Sequence, residues 1–130
     1  MTEPGEDPAA RAHDRRPLDR DEAALLDAIA DRLPPVVRDG LRAQVRHAAV
    51  TGRCGCGCAT VDLAVSPEVR PVALQSPIGL DVTIVDDADE PVGGVLVFLD
   101  GGRLSLLELY GFEEPILRCP PVERVRFAPA

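Results

Sequence analysis

Three of the four cysteines in this chain fall within five residues, Cys54-Gly55-Cys56-Gly57-Cys58. Thiolate sulfur binds soft metal ions such as zinc and copper(I), and glycine spacers allow the backbone to bend so that the sulfur atoms converge. Cys119 is distant in the sequence but would complete a four-sulfur site if folding brings it close. These four residues, Cys54, Cys56, Cys58 and Cys119, are therefore candidate ligands of a zinc or copper site.

The alternative is a structural group of thiols that holds no cofactor. Structural zinc sites favour closely paired ligands, and the chain has neither a Cys-x-x-Cys nor a pair of histidines. In an extended strand, cysteines two residues apart share a face but lie too far apart for one tetrahedral ion unless the segment kinks. His47 is one further candidate ligand. Both interpretations, zinc and no cofactor, remain open from the sequence.

Signatures of catalysis are absent from the sequence. There is no Gly-x-Ser-x-Gly turn, no phosphate-binding glycine loop with lysine, and no His-Glu-x-x-His. The chain has no lysine, and of its two histidines His13 lies in the N-terminal segment, which leaves His47. This inventory is thin for general acid–base or nucleophilic chemistry, so we expect a non-enzymatic protein.

The net charge of -8 bears on the kind of partner that the chain can take. Nucleic acid and anionic membrane surfaces attract cationic proteins, so the charge argues against both and favours a basic protein. No apolar run is long enough to span a membrane, and the first twenty residues lack the apolar core of a secretory signal. We therefore expect a cytoplasmic protein whose thiols are reduced.

The chain divides into a short tail and one folded unit. Residues 1–17 are rich in proline, glycine, alanine and charge, which predicts a disordered acidic tail before a single α+β domain over residues 18–130. Asp19 and Glu22 have the spacing of a capping box at the start of a first helix. A second helix is predicted over Val36–Ala49 from its apolar stripe.

The apolar period changes from that of a helix to two near residue 59. The Asp100-Gly101-Gly102-Arg103 segment between two apolar runs predicts a tight hairpin. The strands are predicted at residues 59–65, 81–85, 92–99 and 104–110, with a fifth at the edge over 122–127. The fold class is therefore α+β, with two N-terminal helices packed on a four- to five-stranded, mainly antiparallel meander.

Two of the predicted strands are apolar on both faces. Val95, Val97 and Leu99 alternate with Leu96 and Phe98, although a sheet with one wet face should alternate apolar with polar residues. Two helices cover one face, so the other needs the loop at 66–79 and the C-terminal segment, a second copy of the chain, or another protein.

The apolar second face and the acidic charge together predict a protein-interaction module. Its partner would be another protein or a second copy, and an immunity- or antitoxin-like protein that blocks a basic toxin is one member of this class. The candidate contact residues are an arginine stripe on the second helix and two side chains of the last long strand: Arg38, Arg42, Arg46, Glu108 and Tyr110.

The residues from Arg53 to Leu63, together with Gly101 to Tyr110, carry a resemblance. They resemble an uncharacterised family of small actinobacterial proteins with a Cys-Gly-Cys segment, a short valine-rich strand and a late Asp-Gly-x-Leu-x-x-Leu-Glu strand. The resemblance covers roughly residues 41 to 120. It implies an α+β domain in the bacterial cytosol and no particular activity.

Overall fold

The computed structural model describes residues 15–128, which form two helices and a seven-stranded sheet. The elements in chain order are β1 (Arg16–Pro17), α1 (Arg20–Ala30), α2 (Pro35–Arg46), β2 (Ala48–Arg53), β3 (Val61–Val65), β4 (Val82–Val85), β5 (Pro91–Asp100), β6 (Arg103–Gly111), a 3-10 helix (Val122–Arg124) and β7 (Val125–Phe127). The α+β class is confirmed.

All pairings in the sheet are antiparallel, in the order β1-β2-β3-β6-β5-β4-β7. β4, β5 and β6 form a meander, and β6 then pairs with β3 rather than with a sequence neighbour. The prediction of four to five strands was therefore too low. It missed β1 and β2 because the second helix ends at Arg46, three residues earlier than predicted, and Ala48–Arg53 lacks a clear apolar–polar alternation.

The predicted start of α1 is confirmed. The Asp19 side chain accepts from the Glu22 N–H at 2.8 Å, and the Glu22 carboxylate accepts from the Asp19 N–H at 2.9 Å. Both bonds satisfy N–H groups that the first helical turn leaves without partners. α2 begins at Pro35, whose ring fixes a helical φ and whose missing N–H costs nothing at that position.

Both helices pack on one face of the sheet. The core joins Leu25, Leu26 and Ile29 of α1 and Leu41 of α2 with buried side chains from β2 to β7. Gln44 of α2 is also fully buried. Its amide N–H groups donate to the carbonyls of Arg70 and Gly102, and its Oε1 accepts from the Leu104 N–H. These bonds fix α2 to the β5–β6 hairpin, because a buried amide needs partners for all its polar atoms.

The second face of the sheet, called the outer face below, carries Leu96, Phe98 and Leu106, all half-buried and outside the core. A bulge between Phe98 and Leu99 changes the alternation of β6, so that Leu104 lies in the core and not on the face of Leu106. The loop at 66–79 and the C-terminal segment contribute Val72, Leu74, Ile78, Ile116 and Cys119 to the packing of the core.

The predicted tail of residues 1–17 lies mostly outside the described residues, as do residues 129–130. Its last two residues, Arg16 and Pro17, form β1 and pair with Val50 and Ala49 of β2. They therefore belong to the sheet, and not to the tail.

Candidate metal centre

The cysteine cluster, Cys54, Cys56 and Cys58, lies in the hairpin loop between β2 and β3. The loop is closed by the Cys54 N–H, which donates to the Thr60 carbonyl at 3.2 Å, and by a turn in which the Gly57 N–H donates to the Cys54 carbonyl at 3.3 Å. Gly57 has a φ of 89°, which a residue with a side chain rarely adopts. In an extended strand the cysteines would lie too far apart to bind one ion. This turn supplies the kink that brings them closer.

The three sulfur atoms lie within 4.8 Å of one another. A tetrahedral zinc ion with Zn–S distances of about 2.3 Å needs sulfur atoms about 3.8 Å apart, so shifts of about 1 Å would complete the geometry. The Cys56 N–H donates to the Cys54 sulfur and the Cys58 N–H to the Cys56 sulfur, both at 3.4 Å. Such bonds stabilise negative charge on sulfur, as a metal-binding thiolate requires.

The three thiols do not titrate alike. The pKa of Cys58 is lowered to about 7, because hydrogen bonds from the Cys56 thiol and from Thr60 favour its thiolate. The pKa of Cys56 is raised to about 11, because its proton is shared in hydrogen bonds with the sulfurs of Cys54 and Cys58. In the metal-free loop Cys58 therefore ionises at lower pH than Cys56 does.

Neighbouring backbone holds the loop in place. The Ala59 N–H donates to the Ile116 carbonyl at 2.8 Å, and the Thr60 hydroxyl oxygen accepts from the Leu109 N–H at 3.0 Å. The base of the loop is thereby tied both to β6 and to the segment after it. Cys54 and Cys56 themselves are exposed, so the cluster lies at the surface, where an ion can reach it.

Cys119 and His47 do not join the cluster. Within residues 15–128, the group of convergent metal-binding side chains consists of Cys54, Cys56 and Cys58. Cys119 is half-buried, and burial, together with the charges of nearby acids of α1, raises its thiol pKa to about 12. His47 is exposed at the end of α2. The four-sulfur site that the sequence predicted is therefore a three-sulfur site in the structure.

A pocket of about 340 Å³ adjoins the cluster. Its walls include Cys58 of the loop, Cys119, and the first turn of α1. Glu22 of that turn forms an ion pair with Arg16 of β1 through two hydrogen bonds of 2.8 and 2.9 Å. Burial alone would raise the pKa of Glu22, but the hydrogen bonds from Arg16 and from the Asp19 backbone hold it below the usual range. No sequence pattern indicates this pocket, because one of its lining residues, Arg16, belongs to β1, a strand of two residues.

The five candidate interaction residues do not form one surface. Arg42 pairs with Asp31, and Arg38 lies 3.5 Å from Asp39, so both are engaged within the helix layer. Arg46 is exposed on the same helix. Glu108 and Tyr110 alternate with the core residues Leu107 and Leu109 and so lie on the outer face, on the opposite side of the sheet.

The arginines of α2 form no ion pair with Glu108, which lies across the sheet from that helix and has no ion-pair partner among the described residues. The acidic turn after β4 also pairs elsewhere: Asp87 with Arg124, and Asp89 with Arg126 at 2.8 Å. The 3-10 helix and β7 therefore supply the cations for this turn.

No protein-family model matches this chain, and no match was found among curated proteins or solved structures. Neither helix in residues 15–128 combines the length and the apolar character needed to cross a membrane.

Proposed function

We propose that this protein binds one soft metal ion, zinc or copper(I), through Cys54, Cys56 and Cys58. The convergence of the three sulfur atoms within 4.8 Å supports the proposal most directly. Cys54 and Cys56 are exposed and Cys58 is half-buried, so the burial of apolar surface gives these thiols little reason to cluster. Three sulfur ligands from one short loop are the donor set that soft ions prefer over magnesium or calcium.

Both candidate ions suit three thiolates. Zinc takes four ligands, so a water or an external group would complete its coordination, whereas copper(I) is satisfied by sulfur ligands alone. The pKa of Cys56 is about 11, so its thiol is protonated at neutral pH and metal binding must displace that proton. Metal binding should therefore release protons near neutral pH.

The test is a titration of the reduced full-length chain with zinc and with copper(I) in the presence of a competing chelator. We expect one ion per chain, with an ultraviolet sulfur-to-metal absorption for copper(I). Cys54→Ser, Cys56→Ser and Cys58→Ser should each weaken binding strongly. Cys119→Ser is the matched control, since it removes a thiol outside the cluster and should leave stoichiometry and affinity unchanged. Equal losses in all four variants, or no bound ion, would refute the proposal.

A second proposed function is a protein contact through the outer face. Leu96, Phe98 and Leu106 are neighbours there across β5 and β6, and none of them belongs to the core. Glu108 and Asp62 lie on the same face and have no ion-pair partner among the described residues. An apolar centre with unpaired carboxylates suits a basic partner protein, as an immunity- or antitoxin-like module would have, or a second copy of the chain.

Sedimentation equilibrium of the chain, alone and with a basic partner candidate, tests this contact. Phe98→Ser should abolish association, whereas Val36→Ser should not, because Val36 is 86% exposed on α2 and also apolar. Association with a basic partner should weaken with added salt, and self-association should respond less. A chain that sediments as a monomer, both alone and with the basic partner candidate, would contradict the proposal.

A further inference from the structure

The pocket beside the cysteine cluster is lined by charged side chains of both signs. Arg16 and Glu22 neutralise each other, but Arg53 and Arg118 have no ion-pair partner among residues 15–128. Asp19, at the N-cap of α1, lies on the same wall. The volume of about 340 Å³ is at the small end of the range of about 300–1,000 Å³ that ligand pockets occupy. Such a pocket suits a small zwitterion with more than one carboxylate.

One thiol of the cluster also lines this pocket. Cys58 stands in its wall, and the sulfurs of Cys56 and Cys54 lie within 4.8 Å of that of Cys58. A ligand bound in this pocket would therefore meet the Cys58 sulfur, with the Cys56 sulfur within 4.8 Å of it. This is the arrangement of an attacking and a resolving cysteine.

We propose that the pocket binds a small disulfide carrying carboxylate and ammonium groups, and that the cluster reduces it by thiol–disulfide exchange. The two arginines would hold carboxylates, and Asp19 would hold an ammonium group. The inference is independent of the proposed metal function, because it concerns the metal-free, reduced cluster.

The exchange proceeds in two steps that balance. The Cys58 thiolate attacks one sulfur of the small disulfide, the S–S bond of the ligand breaks, and the leaving thiolate takes up a proton. The product is a mixed disulfide on Cys58. The Cys56 thiolate then attacks the Cys58 sulfur, releases the second small thiol and forms a Cys56–Cys58 disulfide. The ligand is reduced by two electrons to two thiols, and the protein loses the same two electrons.

The loop can accommodate the product. The two sulfur atoms must approach from within 4.8 Å to about 2.05 Å. Gly55 and Gly57 face open space, since a Cβ added at either position would meet no atom within 4 Å. The space beside both glycines is therefore open, which leaves this part of the loop room to shift. Where a metal is bound as proposed above, the same oxidation removes two of its three ligands.

Cystine serves as the probe, with bis(2-hydroxyethyl) disulfide as a neutral one, on the full, metal-free, reduced chain. Mass spectrometry of peptides should find an internal Cys56–Cys58 disulfide in the wild type. In Cys54→Ser/Cys56→Ser, the reaction should stop at a mixed disulfide on Cys58. A mixed disulfide mainly on Cys119, or none at all, would overturn the proposal.

Charge variants test the pocket itself. Arg53→Ser/Arg118→Ser should slow exchange with cystine about fivefold, the size expected of two solvent-screened ion pairs, and leave the exchange rate of the neutral probe unchanged. Arg46→Ser/Arg70→Ser removes the same charge from exposed arginines outside the pocket and should change neither rate. The unchanged rate with the neutral probe shows that a variant is folded and reactive. If both double variants slow the charged probe equally, net charge explains the effect and the pocket proposal fails.

Discussion

Gly57 offers the sharpest test of whether the loop is shaped to bring three sulfurs together. Its φ of 89° is strained for any residue with a Cβ, whereas Gly55, two residues earlier, is not among the residues with positive φ. A Cβ at either position would meet no atom within 4 Å. Gly57→Ala and Gly55→Ala therefore differ in backbone strain alone.

The magnitude follows from that strain. Placing Ala in the left-handed region costs about 1–2 kcal/mol. The metal-free loop of Gly57→Ala can relax away from this conformation, but metal binding must restore it and pay the strain. Because about 1.4 kcal/mol is a factor of ten in affinity, metal binding should weaken about 5- to 30-fold. Gly55→Ala should bind as the wild type does, and Gly57→Asn should be intermediate because Asn tolerates positive φ better.

Chelator competition gives the affinities, and chemical denaturation of the metal-free variants gives their stability. The stability of Gly57→Ala should change little, because the loop residues are outside the core. If the two alanine variants bind metal equally well or equally poorly, the turn at Gly57 does not position the sulfurs, and the reasoning is refuted.

Three further predictions concern titration and packing. Iodoacetamide should alkylate Cys58 of the metal-free chain with a half-maximal rate near pH 7, whereas alkylation of Cys119 should stay slow up to a pH near its pKa of about 12. Mass spectrometry of quenched samples measures both rates, and faster alkylation of Cys119 than of Cys58 would contradict the prediction. The pKa of Glu22 is lower in the folded chain than its usual value of about 4.5. The ionised Glu22 carboxylate therefore stabilises the fold at pH values above about 4.5, and this stabilisation is lost as the pH falls through the folded-state pKa. Glu22→Gln should therefore be less stable than wild type at pH 7 by about 1–3 kcal/mol and converge with it in acid, as urea unfolding at each pH would show. Gln44→Leu should cost about 2–4 kcal/mol because it takes the Gln44 partner from the Arg70 carbonyl and from the Leu104 N–H, whereas the Gly102 carbonyl still accepts from the Val72 N–H; an unfolding free energy equal to wild type would contradict this.

Local chemistry explains which elements the sequence predicted well. The capping box of Asp19 and Glu22 and the Gly101-Gly102 turn depend on neighbouring residues only, and both are present, the glycines with φ of 59° and 81°. β5 and β6 have long apolar runs that no helix pattern fits, and each was placed to within one residue at either end. Such features need no knowledge of the rest of the chain.

The parts that the sequence did not predict depend on distant contacts. β2 begins two residues after α2 and is held by pairing with β3 and β1, which a pattern within Ala48–Arg53 does not reveal. The bulge that turns Leu104 into the core is fixed by the register between β5 and β6. Gln44 gave no signal at all, because its partners lie 26 to 60 residues away.

The cysteine cluster combines both kinds of information. Composition alone placed three thiols within five residues, and glycine spacing permitted convergence without requiring it. Convergence follows from the hairpin, in which the Cys54–Thr60 hydrogen bond closes the loop and the positive φ of Gly57 turns it. The hairpin in turn needs β2, the strand that the sequence did not predict. Because the predicted helix continues to Ala49 and the next predicted strand begins at residue 59, the sequence predicts no hairpin around the cysteines, and whether their sulfurs converge stays open until β2 is known.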